Sequence, residues 1–481
     1  MKHLLFVSAL LVFSVSAMQA QDKTLYNSGE LSKHYYSKQR DSIKKAWVCP
    51  IMSGSKETQK KFKEIWDKRT DFLIDAIDEN HFVHDSHIFN YVQELVDQLQ
   101  KSNKDLIKER PFLLLDRSQS VNAYAVGGNI IVVNLGLVAF TATREEMALI
   151  IAHELSHNIL NHAENAMKQR AEWLTSDEYK DSLDNVLNSK YNRLSRLKKI
   201  LETYSFDRNR HQRYKESEAD SLAIVLLKNC NIPFQAEVFL RLDSADREYQ
   251  NPLNKPVKEY FASYKLPFED SWTQKRSKGL STKTYNFNNN SKLEDSLKTH
   301  PDCAERYRNT VKLNTPNAHF TALPSSIVEK ANKMIIWNLF SNMNLTQCLY
   351  RVMLEKDKGL TDEWYDFMMH NAISALYYSD KELMRFQSIG VLQKEYISKN
   401  YYELQTMLEQ IPSENLHQYC NLFQSLDFWK NMSAAEKAMK ALMGSLISDS
   451  INKDQAAKEA KAFSANNSTS MYSEFAGNFA R

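Results

Sequence analysis

Apolar residues recur at helical spacing behind Thr143. Met147, Ile150, Ile151, Leu155 and Ile159 fall on one side of a helix, and Thr143 with Glu146 supplies a capping box at its start. The spacing predicts a largely buried helix from there through Ile159. A second buried helix is predicted around Arg213–Asp220, because Leu222, Ala223, Val225 and Leu226 continue it with one apolar face. Upstream, residues 87–100 pattern as an amphipathic helix. Pro111–Asp116 patterns as a strand, and Val121–Val126 with Asn129–Val133 as a hairpin turning on Gly127-Gly128. The charged stretch between the two buried helices (Lys168 to Leu201, then Tyr204 to His211) predicts a helical hairpin near the cleft.

The ends of the chain differ from this centre. Met1-Lys2-His3, the apolar run Leu4–Val15 and Ser16–Ala20 have the build of a secretory signal, with cleavage expected after Ala17 or Ala20. Residues 21–75 are polar and helical, with aromatic Tyr35, Tyr36, Trp47 and Trp66. Residues 272–298, rich in Ser, Thr, Asn and Lys, are expected as a loop. Beyond 313 the pattern gives consecutive helices at Ser326–Phe340, Leu345–Glu355, Asp362–Tyr378 and Lys381–Ser398. Leu349-Tyr350, Trp364-Tyr365 and Ala375–Tyr378 are similar to one tetratricopeptide helix pair. The expected organisation is a signal peptide over 1–20, an N-terminal helical segment over 21–75, a catalytic domain over 76–312, a helical-repeat or helical-bundle region over 313–465 and a flexible tail over 466–481. The fold class is mainly α (α+β), with a small β-sheet.

Charge and composition narrow the function. Among 481 residues, 62 Lys and Arg stand against 59 Asp and Glu, a balance that suggests neither nucleic acid nor an anionic membrane as partner. Mean hydropathy is −0.53, and no apolar run after the signal is long enough to span a bilayer. A soluble exported protein, periplasmic or otherwise extracytoplasmic, is expected. The five cysteines are odd in number and scattered, which gives no disulfide framework and no zinc knuckle.

The chemistry concentrates at His153-Glu154-Leu155-Ser156-His157. Residues four apart share a helix face, so His153 and His157 can turn two imidazoles to one metal ion. Glu154 stands about 100° further round, where a general base for a metal-bound water belongs. A third ligand is required. The metzincin continuation is absent, since Leu160 and Ala163 occupy its positions. His162, five past His157, is expected on a different side of the helix, and Glu164 two turns along is out of reach. A separate helix must supply the ligand, and Glu216 and Asp220, four apart on an inward face, want a cation or a partner. Glu216 as zinc ligand and Asp220 as acceptor for a ligand histidine satisfy both. Glu218 is expected in solvent.

H-E-x-x-H followed by E-x-x-A-D resembles the gluzincin metallopeptidases of the HtpX and CAAX-prenyl-protease type. Val121–Val133 is similar to that family's N-A-F…G-G-I-V segment, with Val126 where a proline often stands, and Thr299–Arg306 to its T-H-P…R segment. The resemblance implies one Zn²⁺ per chain held by His153, His157 and Glu216, with Glu154 as base, Asp220 supporting a ligand and Arg213 matching a recurrent family arginine. It implies polypeptide substrates laid along the sheet edge, for which the backbone near Asn122 and Ala123 is the candidate. His300 is a candidate for stabilising the oxyanion, for a fourth and inhibitory zinc ligand, or for a cap beside Pro301. The likeness to soluble exported members suggests quality control of cell-envelope proteins, with protein partners bound through the helical region. Two other readings are open: a chaperone or scaffold acting through that region beside a latent protease domain, and a zinc-dependent hydrolase of something other than peptide.

Overall fold

The computed structural model describes residues 30–189, 191–274, 303–448 and 453–480. The expected signal peptide and the Thr299-His300-Pro301 segment lie outside them. The chain divides into two compact units. Of the described residues, one comprises 32–246 and 303–331; the other comprises 30–31, 247–274 and 332–480. The boundary expected at 312/313 falls instead inside a helix, and 247–274 go with the second unit.

The first unit opens with α1 (Glu30–Ala46), α2 (Lys56–Asp78) and α3 (Ser86–Ser102). The sheet follows as β1 (Phe112–Asp116), β2 (Ala123–Gly127) and β3 (Ile130–Asn134). Its order is β1-β3-β2, with β1 parallel and β2 antiparallel to β3. β3 is buried along its whole length, which explains the unbroken run Ile130-Ile131-Val132-Val133: both faces of the central strand are covered. The Gly-Gly hairpin is present, with Gly127, Gly128 and Asn129 all at positive φ. Gly128 leaves no room for a side chain, because a Cβ there would sit 2.4 Å from the Trp47 ring. Trp47, Tyr36 and Trp66 of the N-terminal segment thus share one core with Leu114, Val126, Ile130 and Val132 of the sheet. The Tyr36 hydroxyl donates to the Val83 carbonyl at 2.8 Å and accepts from the Leu115 N–H.

After α4 (Leu135–Phe140) comes α5 (Arg144–Ile159), whose capping box is formed by Thr143 and Glu146. Then come α6 (His162–Thr175), α7 (Asp177–Leu187) and α8 (Arg193–Asn229). α8 corrects an expectation. The stretches placed as separate helices over Tyr204–His211 and Arg213–Asp220 are one 37-residue helix, since no Gly or Pro interrupts 193–229. α5 packs along α8, burying Met147, Ala148, Ile151, Ala152 and Leu155 on one side and Ala219, Ala223, Leu226 and Leu227 on the other. Each large aliphatic chain so buried contributes about 1.5–3 kcal/mol. The unit continues through α9 (Glu237–Leu242) and α11 (Cys303–Thr310).

The second unit takes in α10 (Val257–Ala262), the C-terminal half of α12 (Ser325–Ser341), α13 (Leu345–Asp357) and α14 (Trp364–Lys381). α15 (Arg385–Ile389), α16 (Lys399–Gln410), α17 (Ser413–Gln424), α18 (Ala434–Leu446), α19 (Lys453–Asn466) and α20 (Ser473–Gly477) complete it. α14 is buried from Trp364 through Tyr377 apart from Asp366, and packs against α13, α15, α17 and α18. A helix enclosed on that many sides makes a bundle; in a repeat stack each unit touches only its sequence neighbours. The single helix expected over Lys381–Ser398 is broken, because Leu383 and Gly390 both take left-handed backbone. The tail expected to fray packs instead. Tyr472 and Phe475 lie on Trp337 and Phe340, and the Trp364 indole donates to the Tyr472 hydroxyl at 2.7 Å. Among the described residues no disulfide joins any two of the five cysteines. Among the described residues no helix is long and apolar enough to cross a membrane.

Candidate metal centre

α5 presents His153 and His157 one turn apart on its buried side, and α8 brings Glu216 up to them. The two Nε2 atoms are 3.0 Å apart. Glu216 approaches with Oε2 3.3 Å from His153 Nε2 and Oε1 3.4 Å from His157 Nε2. A tetrahedral ion with bonds of about 2.0–2.1 Å holds neighbouring ligand atoms about 3.3–3.4 Å apart. Two imidazole nitrogens and a carboxylate at these separations, in a buried place, fit zinc, and these are the three residues expected to hold it. Glu154, next to His153 on α5, is also buried.

Support for His153 comes from the far side of its ring. Asp220 Oδ1 lies 2.9 Å from His153 Nδ1, as expected for an acceptor that orients a ligand histidine. Asp220 is itself gripped from two sides by Arg306, whose Nε and Nη2 donate at 2.8 and 2.5 Å, while Phe239 covers the guanidinium at 4.3 Å. Burial alone would raise the Asp220 pKa; Arg306 and His153 hold it down to about 2. Burial and Arg306 push His153 down, yet its bonds to Asp220 and Glu216 outweigh them and raise it to about 10. Asp220 and Glu216 thus favour a positive charge on the His153 side of the centre.

His157 has support that its spacing did not suggest. α5 ends at Ile159, and Asn161 turns the chain in left-handed backbone at φ 52. His162, expected on another side of a continuing helix, thus swings back, and its Nδ1 reaches 2.8 Å from His157 Nδ1. Glu218, expected in solvent, is half-buried with Oε2 3.5 Å from His162 Nε2. Burial and Lys215 lower the His162 pKa, with Glu218 opposing. Glu164 accepts the Gly128 N–H at 2.8 Å.

At the sheet edge, the Asn122 carbonyl accepts from the Asn134 N–H, so it faces β3. The antiparallel alternation then directs the N–H and C=O of Ala123 and Ala125 outward. β2 has no strand on that outer side among the described residues, and it packs against α5. Arg213 lies on α8 with its side chain outside the described residues, as is His300.

Residues 86–313 match the model of peptidase family M48. The matched segment runs from α3 to just past α11 and contains every residue of this centre. Families of this kind are zinc metallopeptidases, so the M48 match and the donor set support the same chemistry. No curated protein matches the chain. Arg306 belongs to the T-H-P…R segment, yet no role for it could be read without knowing that α11 stacks it on α8. A turn-forming Asn161 directly before His162 was the one available hint of the other missed residue.

Proposed function

We propose that the chain is an exported zinc metalloendopeptidase that hydrolyses peptide bonds of protein substrates and serves the quality control of cell-envelope proteins. The observation that carries the activity is the convergence of His153, His157 and Glu216 within 4.8 Å of one another beside buried Glu154. His153, His157 and Glu216 would hold a zinc ion there, which would lower the pKa of a water and polarise a peptide carbonyl. Glu154 takes the proton from the attacking water and returns it to the leaving amine. Asp220 and Arg306 keep the His153 ring turned toward the centre. A substrate segment pairs with the outer edge of β2 through the backbone of Ala123 and Ala125. The export reading rests on the residue 1–20 pattern, and the envelope role on the family likeness.

Bound zinc and casein cleavage are measured for wild type, Glu154→Gln and Glu216→Gln. Wild type is expected to bind about one zinc and cut casein. Glu154→Gln keeps zinc and loses cleavage, and Glu216→Gln loses zinc. Wild type without zinc would sink the proposal; zinc without cleavage would favour a latent domain beside a binding bundle. Mass spectrometry of the exported protein should place its N-terminus after Ala17 or Ala20.

A further inference from the structure

We propose that His162 is a positioning residue that fixes the tautomer and orientation of His157, with Glu218 fixing His162 in turn. The inference rests on the zinc reading above but concerns residues outside the ligand set. His157 Nε2 points at His153 Nε2 and Glu216, so as a ligand it must keep a lone pair there. A neutral His157 then carries its proton on Nδ1. The atom facing that proton, at 2.8 Å, is His162 Nδ1. Two ring nitrogens at hydrogen-bonding distance cannot both be protonated without repulsion, so His162 Nδ1 accepts. Its own proton is left on Nε2, the atom that faces the Glu218 carboxylate at 3.5 Å. Each step determines the next. The series mirrors the other ligand, where Asp220 and Arg306 stand behind His153, but here an imidazole occupies the place a carboxylate takes there.

The backbone shows that this placement is built. A helix continuing past Ile159 would carry residue 162 away from 157; the left-handed turn at Asn161 returns it. His162 is then 7% exposed and lies edge-on to the His157 ring, with centroids 4.9 Å apart. Ligand-supporting acceptors of this kind are typically worth 10–100-fold in metal affinity.

Zinc affinity is measured by competition with a chromogenic chelator on the full chain, for wild type, His162→Leu and His162→Asn. Leucine and asparagine have nearly the same shape, and asparagine restores an acceptor oxygen close to the place of Nδ1. His162→Leu should weaken zinc binding roughly 10–100-fold and broaden the visible bands of the cobalt-substituted protein. His162→Asn should hold affinity within about threefold of wild type. Thermal unfolding of each chelated variant checks folding. Unchanged affinity in His162→Leu would overturn the assignment. So would equal losses in both variants, because the ring's packing and not its acceptor would then matter. Wild type that binds no zinc would defeat the underlying zinc reading, an outcome distinct from any pattern among the variants.

Discussion

Removing Arg306 tests whether the charge pair behind His153 holds the centre together. Arg306 and Asp220 are both buried, at 9% and 5% side-chain exposure, and joined by two hydrogen bonds. Arg306→Met leaves the Asp220 carboxylate in the interior with His153 alone to answer it. Breaking a buried pair in this way costs about 3–5 kcal/mol. For a domain of this size each kcal/mol lowers the midpoint by about 2–4 °C, so the first unit should unfold roughly 6–20 °C earlier. Asp220→Leu takes the buried guanidinium's hydrogen-bonded carboxylate away instead, leaving it under the Phe239 ring and 3.3 Å from His153 Nδ1, and should cost a similar amount. The double variant replaces both charges with apolar groups and should lose much less than the two singles together, with a coupling of at least about 3 kcal/mol. Calorimetry in chelator follows the transition that added zinc shifts upward, which identifies the unit carrying the site. Additive losses in the double variant, or a single variant within about 2 °C of wild type, would refute the account.

In the second unit, burial drives the His370 pKa down to about 3, with Lys440 adding to it and Asn371 opposing. An unfolded chain therefore binds a proton below about pH 6.5 that the folded bundle refuses until about pH 3. That stability is present above pH 6.5 and lost on acidification, by about 2 kcal/mol at pH 5. His370→Gln should flatten the fall of that unit's midpoint between pH 8 and 5; an unchanged slope would refute it. Gly128→Ala drives a methyl into the Trp47 ring at a left-handed position and should cost roughly 2–4 kcal/mol, read by urea unfolding.

The parts of the site legible in the sequence were those that depend on local geometry. His153 and His157 share a helix face whatever lies around them, and the Thr143 capping box and apolar spacing fix the helix that carries them. Glu216 was reachable because two acids on an apolar-faced helix demand a cation. Gly127-Gly128 located the hairpin. What failed depended on distant partners. The Asp220–Arg306 pair spans 86 residues, and no local pattern marks an arginine for burial. β1 lies beside β3, so the sheet order follows from packing and not from the hairpin signal. The polar run after Ala465 suggested fraying, but Tyr472 and Phe475 beyond it find Trp337 and Phe340, which sequence proximity could not indicate.

The turn at Asn161 ties two of these features together. It ends α5 and restarts the chain as α6, and the first turn of α6 does two things at once. His162 meets His157, and Glu164 takes the N–H of Gly128 in the turn that joins β2 to β3. One residue in left-handed backbone thus sets both the ring behind a proposed metal ligand and the strand proposed to receive substrate. Asparagine tolerates that backbone; alanine there costs about 1–2 kcal/mol. Asn161→Ala has two ways to respond. It can keep the turn and lose only that stability, or relax it and move His162 and Glu164 together. Since both contacts depend on one hinge, relaxation should weaken zinc binding and raise KM for a peptide substrate in the same variant. Asn161→Gly restores access to the left-handed region and should recover both. Zinc competition and peptide kinetics on the two variants decide the matter. An Asn161→Ala protein that loses zinc affinity while KM stays at the wild-type value would show that the turn serves the histidine alone and that Glu164 does not hold the strand.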